Sequence, residues 1–260
     1  MLSLLWNMKK KEDKKPPPYI SVSQVRTYLQ CGMKYYFRYF ERIGTTPTGP
    51  MIRGSSVDKA ANDHFDIKAD NGIGLKRNDF VDLAVSEHDF SAENAEMDIT
   101  KQISRDRLAE ISKKYHTTHA QKLTPLSKGS VQLKINGDIG LDIPVLGFAD
   151  LITKDRVVID NKVRKQNKVN DLTKDIQLVT YADVGNFSKV GIALVTDTKT
   201  PKAEIYTAQI SDASKSLVRE RIKLVRNGIK KNVFLPAPEG SWYCSEKWCS
   251  FWSICPYGAG

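Results

Sequence analysis

The sequence predicts an α/β protein on three observations. Apolar residues recur at helical spacing through the first half of the chain. Five strand-like runs occupy residues 131–210, and a helix-patterned segment from Asp171 to Val184 separates the third run from the fourth. The expected order is helices, three strands, a helix, two strands, a last helix and a tail rich in cysteine and aromatic residues.

Each element has its own signal. Ser21 is a capping residue ahead of a helix reading Val22 to about Phe40, with Val25, Tyr28, Leu29, Tyr36 and Phe40 at roughly helical spacing. Cys31 falls either inside that helix or at a break near Gly32. A Gly/Thr/Pro loop, Gly44 to Pro50, ends it, and a second helix from about Ile52 to Lys68 carries Gly54, Asp58 and His64. Residues 70–127 read as a polar, mostly helical insertion in which Ile103, Leu108 and Ile111 mark one amphipathic stretch. The strand runs are Val131–Ile135, Ile143–Ile152, Val157–Val163, Val190–Thr196 and Ala203–Ile210. The last helix, Ser211 to Asn227, shows Leu217, Val218, Ile222 and Val225 on one face, and Gly228 is placed to end it. No internal repeat or linker interrupts the pattern, so 19–260 reads as a single domain behind a basic, proline-rich tail over 1–18.

Composition narrows the function classes. The 260 residues are 40% hydrophobic and 27% charged, ordinary for a globular protein, and the net charge of +10 suits a polyanionic partner. No apolar run approaches the length that spans a bilayer. Met1 to Trp6 is apolar and the lysine run Lys9–Lys11 follows it, the reverse of a signal peptide, so the expected setting is the cytoplasm. There the lysine run reads as a solvated tail, with a phosphate-gripping arm as the other reading. No phosphate-loop sequence of the Walker A kind occurs, so any helicase or ATPase is a separate partner.

Two constellations carry chemistry. Gly147-Phe148-Ala149-Asp150 is followed by Val157-Val158-Ile159-Asp160-Asn161-Lys162. Alternation along a strand puts Asp160 and Lys162 on one side and Asn161 on the other. A hairpin centred on Asp155 sets Asp150 opposite Asp160 and Phe148 opposite Lys162, whereas a slip of one residue sends Asp150 to the other face. Two carboxylates suit a hard cation such as Mg²⁺ or Mn²⁺, and a lysine beside them stabilises charge developing on a phosphorus centre. The plainer reading is a surface hairpin with incidental charges. Beyond it, Lys162 to Lys168 continues as a basic stretch that reads as phosphate contacts, whereas Lys223, Arg226, Lys230 and Lys231 read as a solvated face. His116 and His119 have metal-compatible spacing but no acid or cysteine beside them, and read as a surface pair.

The second constellation uses every cysteine in the chain: Cys31 near the front and Cys244, Cys249 and Cys255 in the tail. Four thiols without an export signal suit a metal rather than a disulfide framework. Aromatic residues lie between the tail cysteines and Pro256 follows the last, features that fit a sulfur-ligated iron cluster, with structural zinc as the rival.

Taken together, Ser21-x-Ser23 to Cys31, Gly54 to Asp58, Asp150, Asp160-x-Lys162, Gln177-x₃-Tyr181 and the cysteine tail resemble the PD-(D/E)XK nuclease superfamily. The resemblance is to its RecB-like branch with a cysteine-clasped cluster, which includes nucleases of CRISPR adaptation and phage exonucleases. It implies a restriction-endonuclease-like core with a mixed central sheet flanked by helices, and hydrolysis of DNA, more in the manner of an exonuclease on single strands or duplex ends than of an endonuclease. Partners would be DNA and a separate helicase, recombination or CRISPR-adaptation protein. By that resemblance Asp150 and Asp160 are metal ligands, the Val163 carbonyl is a backbone ligand, and Lys162 is catalytic, while Gln177 and Tyr181 position the lysine or the strand. The family usually has a metal-binding histidine four residues after the helix glycine, where this chain has Asp58, which is expected to serve the metal instead. Cys31, Cys244, Cys249 and Cys255 would hold a [4Fe–4S] cluster, or zinc, with residues 242–260 packed on the first helix. Two readings of other kinds stand beside this one: a catalytically silent DNA-binding module and a zinc-stabilised assembly protein.

Overall fold

The computed structural model describes residues 15–93 and 104–258, so the lysine run of the tail and Ile103 lie outside the described residues. Contacts divide the chain into two compact units, Met1–Thr45 with Leu224–Gly260, and Thr46–Lys223.

The larger unit is built on a five-stranded sheet in the order β1-β2-β3-β4-β5: Val131–Gly137, Val145–Ile152, Val157–Arg164, Lys189–Thr196 and Ala203–Gln209. Strands β1, β2 and β3 run antiparallel, β3 and β4 are parallel, and β5 is antiparallel to β4, so the sheet is mixed, as expected. The parallel step follows from the intervening helix, since a parallel neighbour needs a long crossover. Burial explains the strand compositions: β4, Val190 to Thr196, is buried throughout and almost wholly apolar.

Helices cover both faces. Two helices of the smaller unit, α1 (Val22–Gln30) and α2 (Gly32–Tyr35), come first in the chain; in the larger unit α3 (Gly49–Asn71), α4 (Arg77–Glu93) and α5 (Arg105–Tyr115) pack on one face of the sheet. Val57, Phe65, Phe80, Leu108, Ile111 and Tyr115 meet Leu151, Ile159 and Val195 there in one buried core. At about 25 cal/mol per Å² of apolar surface removed from water, such large side chains each contribute on the order of 2 kcal/mol. The other face carries α6 (Ile176–Val184), capped by Asp175, whose carboxylate accepts from the Gln177 and Leu178 amides. A last helix, α7 (Asp212–Lys230), starts in the larger unit and ends in the smaller; among the described helices none is long and apolar enough to cross a membrane.

Several expectations need correction. His116 and His119 are buried rather than surface residues: each ring nitrogen Nε2 meets a backbone carbonyl, of Leu75 at 2.9 Å and Leu194 at 2.8 Å. Sequence spacing cannot distinguish a histidine that satisfies an orphan carbonyl from a solvated one. Gly228 does not end α7, which runs on to Lys230; a Cβ there would stand 2.1 Å from the Tyr28 hydroxyl, so the glycine is a packing requirement. Arg226 is buried, unlike the exposed Lys223, Lys230 and Lys231, and its charge acts on the Tyr35 hydroxyl.

In the smaller unit, α1 (Val22–Gln30) starts at the Ser21 cap, whose hydroxyl accepts from the Gln24 amide, and stops at Cys31. Cys31 is extended (φ −163°, ψ 115°), so it lies at a break rather than mid-helix, and its Sγ caps α2 (Gly32–Tyr35) by accepting from the Lys34 amide. A π-turn, Tyr36–Phe40, completes the element. Gly32 is obligatory here, because a Cβ would stand 2.6 Å from the Leu235 nitrogen where that backbone crosses. The crossing is fixed by the Met33 amide donating to the Leu235 carbonyl.

Candidate functional site

The carboxylate site arises where two strands part. The three-residue loop Lys154–Arg156, with Arg156 at φ 57°, sets the register expected for an odd loop: Leu151 faces Ile159 and Ile152 faces Val158. The ladder then ends before Asp150, so Asp150 and Asp160 are not a cross-strand pair, and Phe148 faces Lys134 of β1 rather than Lys162. The cause is a kink. Pairing of β1 with β2 passes from Val131–Leu151 to Leu133–Ala149, and the skipped residue Gln132 takes φ 47°. Leu151 belongs to the core under α3–α5, whereas a Cβ on Gly147 would stand 2.5 Å from the Tyr181 ring of α6. Residues four apart on a regular strand share a face. The strand therefore reverses its facing at Asp150, which aims that carboxylate sideways at β3.

The recipient is Asn161. Its amide donates to Asp150 Oδ2 at 2.7 Å, its side-chain Nδ2 donates to Asp58 Oδ1 at 3.0 Å, and its Oδ1 accepts from the Tyr115 hydroxyl at 2.6 Å. Asn161 faces away from Asp160, as alternation predicts, and that side holds Asp58. Asn62 donates to Asp58 Oδ2, and Gln132 donates to both Asn62 and Asp150. On the α6 side, buried Asp160 accepts at Oδ1 from Lys162 Nζ at 2.7 Å and from Gln177 Nε2 at 2.9 Å. Tyr181, one turn after Gln177, is buried across Gly147. Val163 packs its side chain into the core beneath the same strand.

Asp58, Asp150, Asp160, Lys162 and Gln177 are thus gathered around one notch, while Tyr181 is placed across Gly147, one turn along α6 from Gln177. Asn161, Tyr115, Asn62 and Gln132 are further members that sequence reasoning passed over. Asn161 had a signal, as the middle residue between Asp160 and Lys162; nothing in the sequence pointed to Tyr115.

The electrostatics follow from that crowding. Burial first, then the Asp58 and Asp160 charges, push Asp150 up to about 7, against the pull of the Asn161 amide and Lys162. Burial also raises Asp58, with Asn161, Asn62 and Lys162 opposing. Three carboxylates that cannot comfortably ionise together are the donor chemistry a divalent cation relieves. Among the described residues, however, no three histidine, cysteine or acidic side chains stand in ligand geometry. The carboxylates are held apart by hydrogen bonds through Asn161.

The four thiols lie within the smaller unit. Cys31, Cys249 and Cys255 flank a buried cluster of Met33, Phe37 and Phe251, and Tyr243 donates to the Gln30 carbonyl at 3.4 Å. Cys255 is raised by burial and by Cys31, Cys249 and Cys244, against the pull of a hydrogen bond from the Tyr257 backbone; Cys244 is raised by burial and then by Cys31 and Cys249. All four are free cysteines and lie within electrostatic reach of one another.

Comparison with known proteins places this geometry. The profile of the PD-(D/E)XK nuclease superfamily matches residues 19–256. A crystal structure from Eubacterium rectale described as a candidate exonuclease is 18% identical and covers 91% of this chain and 90% of its own, with a TM-score of 0.50. That likeness is one of fold. A second solved protein, SSO0001, is 20% identical over 49% of this chain and 58% of its own, with a TM-score of 0.34. None of the curated proteins matches. With its mixed sheet flanked by helices, and with a profile match running through nearly its whole length, this chain belongs to the PD-(D/E)XK nuclease superfamily.

Proposed function

We propose that this chain is a Mg²⁺- or Mn²⁺-dependent DNA nuclease, acting as an exonuclease on single strands or duplex ends. The observation that carries the reading is the convergence of Asp58, Asp150 and Asp160 with Lys162 on one notch between β2 and β3. Asp58, Asp150, Asp160 and the Val163 carbonyl would hold the metal, which when bound polarises the phosphoryl oxygen and acidifies a water. Lys162 stands 2.7 Å from Asp160, which supports its ammonium as the group that offsets negative charge developing on the phosphate. Gln177 fixes the other side of Asp160 and so limits how that carboxylate turns. Hydrolysis adds the water oxygen to phosphorus and breaks the P–O bond to the leaving strand, and Lys162 offsets the charge gained between.

The same reading takes Cys31, Cys244, Cys249 and Cys255 as ligands of a [4Fe–4S] cluster, with zinc as the alternative. The donor type fits either, since four thiols can serve as thiolate ligands, and the Cys244 and Cys255 thiols, raised first by burial, ionise more readily against a compensating positive centre. Their role is structural, tying the chain ends together. The expected setting is cytoplasmic, with a separate helicase, recombination or CRISPR-adaptation protein supplying the DNA end.

The test compares end-labelled linear DNA with circular DNA in Mg²⁺, Mn²⁺ and EDTA. Progressive loss of label from linear DNA, none from circles and none in EDTA is the expected outcome. Binding without cleavage under all three conditions would leave a silent DNA-binding module instead.

A further inference from the structure

Beyond the carboxylate notch, the larger unit has a cavity of about 600 Å³ just past the ends of β3 and β4. Its cations are Arg53 from the first turns of α3, Arg107 from the first turn of α5, Lys165 after β3 and Lys199 after β4. Asp197 joins the two arginines, with Oδ2 2.6 Å from Arg53 Nη1 and Oδ1 3.2 Å from Arg107 Nε. Asp197 is itself fixed by its amide donating to the Arg164 carbonyl. A guanidinium has five N–H donors, so this bridge orders both arginines and leaves most donors unused.

One of those donors is an anomaly. Arg53 is 6% exposed, and its Nε is buried with no hydrogen-bond partner among the described residues. A buried charged donor left unmet destabilises the fold unless a water or a ligand accepts it. Lys165 and Lys199 make no ion pair among the described residues. Two further acids line the cavity, Asp106 and Glu110, and Glu110 is engaged by Lys113 at 2.8 Å. Four cations then face Asp197 and Asp106, leaving an excess of two positive charges. A terminal phosphomonoester carries about −1.5 to −2 at neutral pH, whereas an internal phosphodiester carries one charge.

We propose that this cavity is a subsite for the terminal phosphomonoester of a DNA strand, held by Arg53, Arg107, Lys165 and Lys199. The proposal rests on the nuclease reading and adds an end-recognition element to it. Asp197 stands as the built-in counter-ion that holds the two guanidiniums together until phosphate arrives. Arg53 lies five residues before Asp58, roughly 7.5 Å along α3, and Lys165 lies three after Lys162, roughly 10 Å along β3. At ~3.4 Å of rise per nucleotide, a held end lies within a few nucleotides of the notch.

The experiment measures binding of one oligonucleotide sequence ending in a 5′-phosphate, a 3′-phosphate or hydroxyls only, by fluorescence anisotropy on the full chain without added divalent metal. One phosphorylated form should bind about tenfold tighter, the equivalent of ~1.4 kcal/mol. Arg107→Gln and Lys199→Gln should reduce it to the hydroxyl level, while Lys128→Gln, on an exposed residue paired with Asp70, should keep the preference. Arg53→Gln is the most direct variant; because Arg53 is buried, the two better-exposed variants keep the result readable if it misfolds. Equal binding of all three ends, or a preference that survives Arg107→Gln and Lys199→Gln together, overturns the subsite. Cleavage with Mg²⁺ is followed in parallel. Cleavage with no end preference sinks the subsite alone, whereas an end preference with no cleavage keeps the subsite and sinks the nuclease reading.

Discussion

The carboxylate notch and the cysteine tail both crowd groups that resist ionising together, yet they are made from different materials. Around the notch, Asp58, Asp150 and Asp160 come from a long helix and two strands, and each accepts hydrogen bonds from Asn161, Asn62, Gln132, Lys162 or Gln177. Around the tail, three of the four cysteines sit on turns, and Cys31 Sγ receives the Lys34 amide at 3.4 Å. Regular structure fixes the first group before any ion arrives. The second is tied by short turns and the Phe37–Phe251 contact, so under the proposed cofactor reading its coherence would depend far more on that cofactor. The difference teaches that losing a ligand should cost activity at the notch and folding at the tail.

The largest expected effect tests the notch. Asp160→Ala and Lys162→Ala should each lower kcat by about 10³-fold or more while circular dichroism and melting stay near native. Asp160→Ala loses the hydrogen bonds from Lys162 and Gln177 but also removes a buried carboxylate, so the stability terms oppose one another. Undiminished kcat in both variants would remove the assignment.

Next in size is the tail. Cys31→Ser or Cys255→Ser should strip the bound cofactor and lower Tm by roughly 10 °C or more, several kcal/mol of a structural site in a chain of this length. Anaerobic protein should be brown with the native cysteines and colourless in either variant. Colourless native protein with one equivalent of zinc would replace the cluster by zinc, and an unchanged Tm in both variants would break the contrast with the notch.

How far the sequence discloses these two sites differs for a physical reason. Strand alternation is a local rule, so Asp160 and Lys162 sharing a side follows from residue spacing, whereas spacing leaves two β2–β3 registers open and the structure has the one centred on Asp155. The facing of Asp150 does not, because it depends on the reversal at Gln132 and Gly147, and φ 47° at a glutamine has no local signature. Asn161 shows the same limit: alternation says that it points away from Asp160, but not that Asp58 and Tyr115 wait there. Buried His116 and His119 were unreadable for a related reason, since the carbonyls they meet belong to distant segments. Helix breaks were only partly legible: spacing leaves Cys31 either inside a helix or at a break, the crossing at Leu235 settles it as a break, and Gly228, read as a stop, lies inside α7.

A smaller effect is the pH dependence of the notch. Asp150 is raised to about 7, so between the ordinary carboxylate range near 4 and about 7 the folded chain binds more protons there than the unfolded chain. Its contribution therefore lowers stability as pH rises through that window. His64 and His119, lowered to about 4 by burial, act oppositely between about 4 and 6.5, where the unfolded chain binds more protons. The difference between native and Asp150→Asn protein isolates the carboxylate. Without added metal the variant should gain stability relative to native as pH rises from 4 to 7, and Mg²⁺ should erase that gain by stabilising only the native site. A difference that does not change with pH would mean that Asp150 ionises freely and that the crowding is weaker than the geometry implies.

The smallest effect concerns the support beneath the notch. Tyr115 is fully buried, and its hydroxyl donates to Asn161 Oδ1. Tyr115→Phe keeps the ring, which stacks on Phe80 with centroids 5.8 Å apart, and deletes only that donor. The expected cost is about 1 kcal/mol of stability, the ordinary net value of one hydrogen bond. Asn161 would still be held by its amide on Asp150 and its Nδ2 on Asp58, so kcat should fall only severalfold. The variant also separates two roles for Asn161. If it merely packs, kcat and the Mg²⁺ dependence stay native while Tm drops. If it spaces Asp58 from Asp150, loosening it should raise the Mg²⁺ concentration needed for half-maximal cleavage, and Tyr115→Phe combined with Asn161→Ala should be no worse in that measurement than Asn161→Ala alone. Additive losses in the double variant would show that Tyr115 acts on the notch by a route other than Asn161.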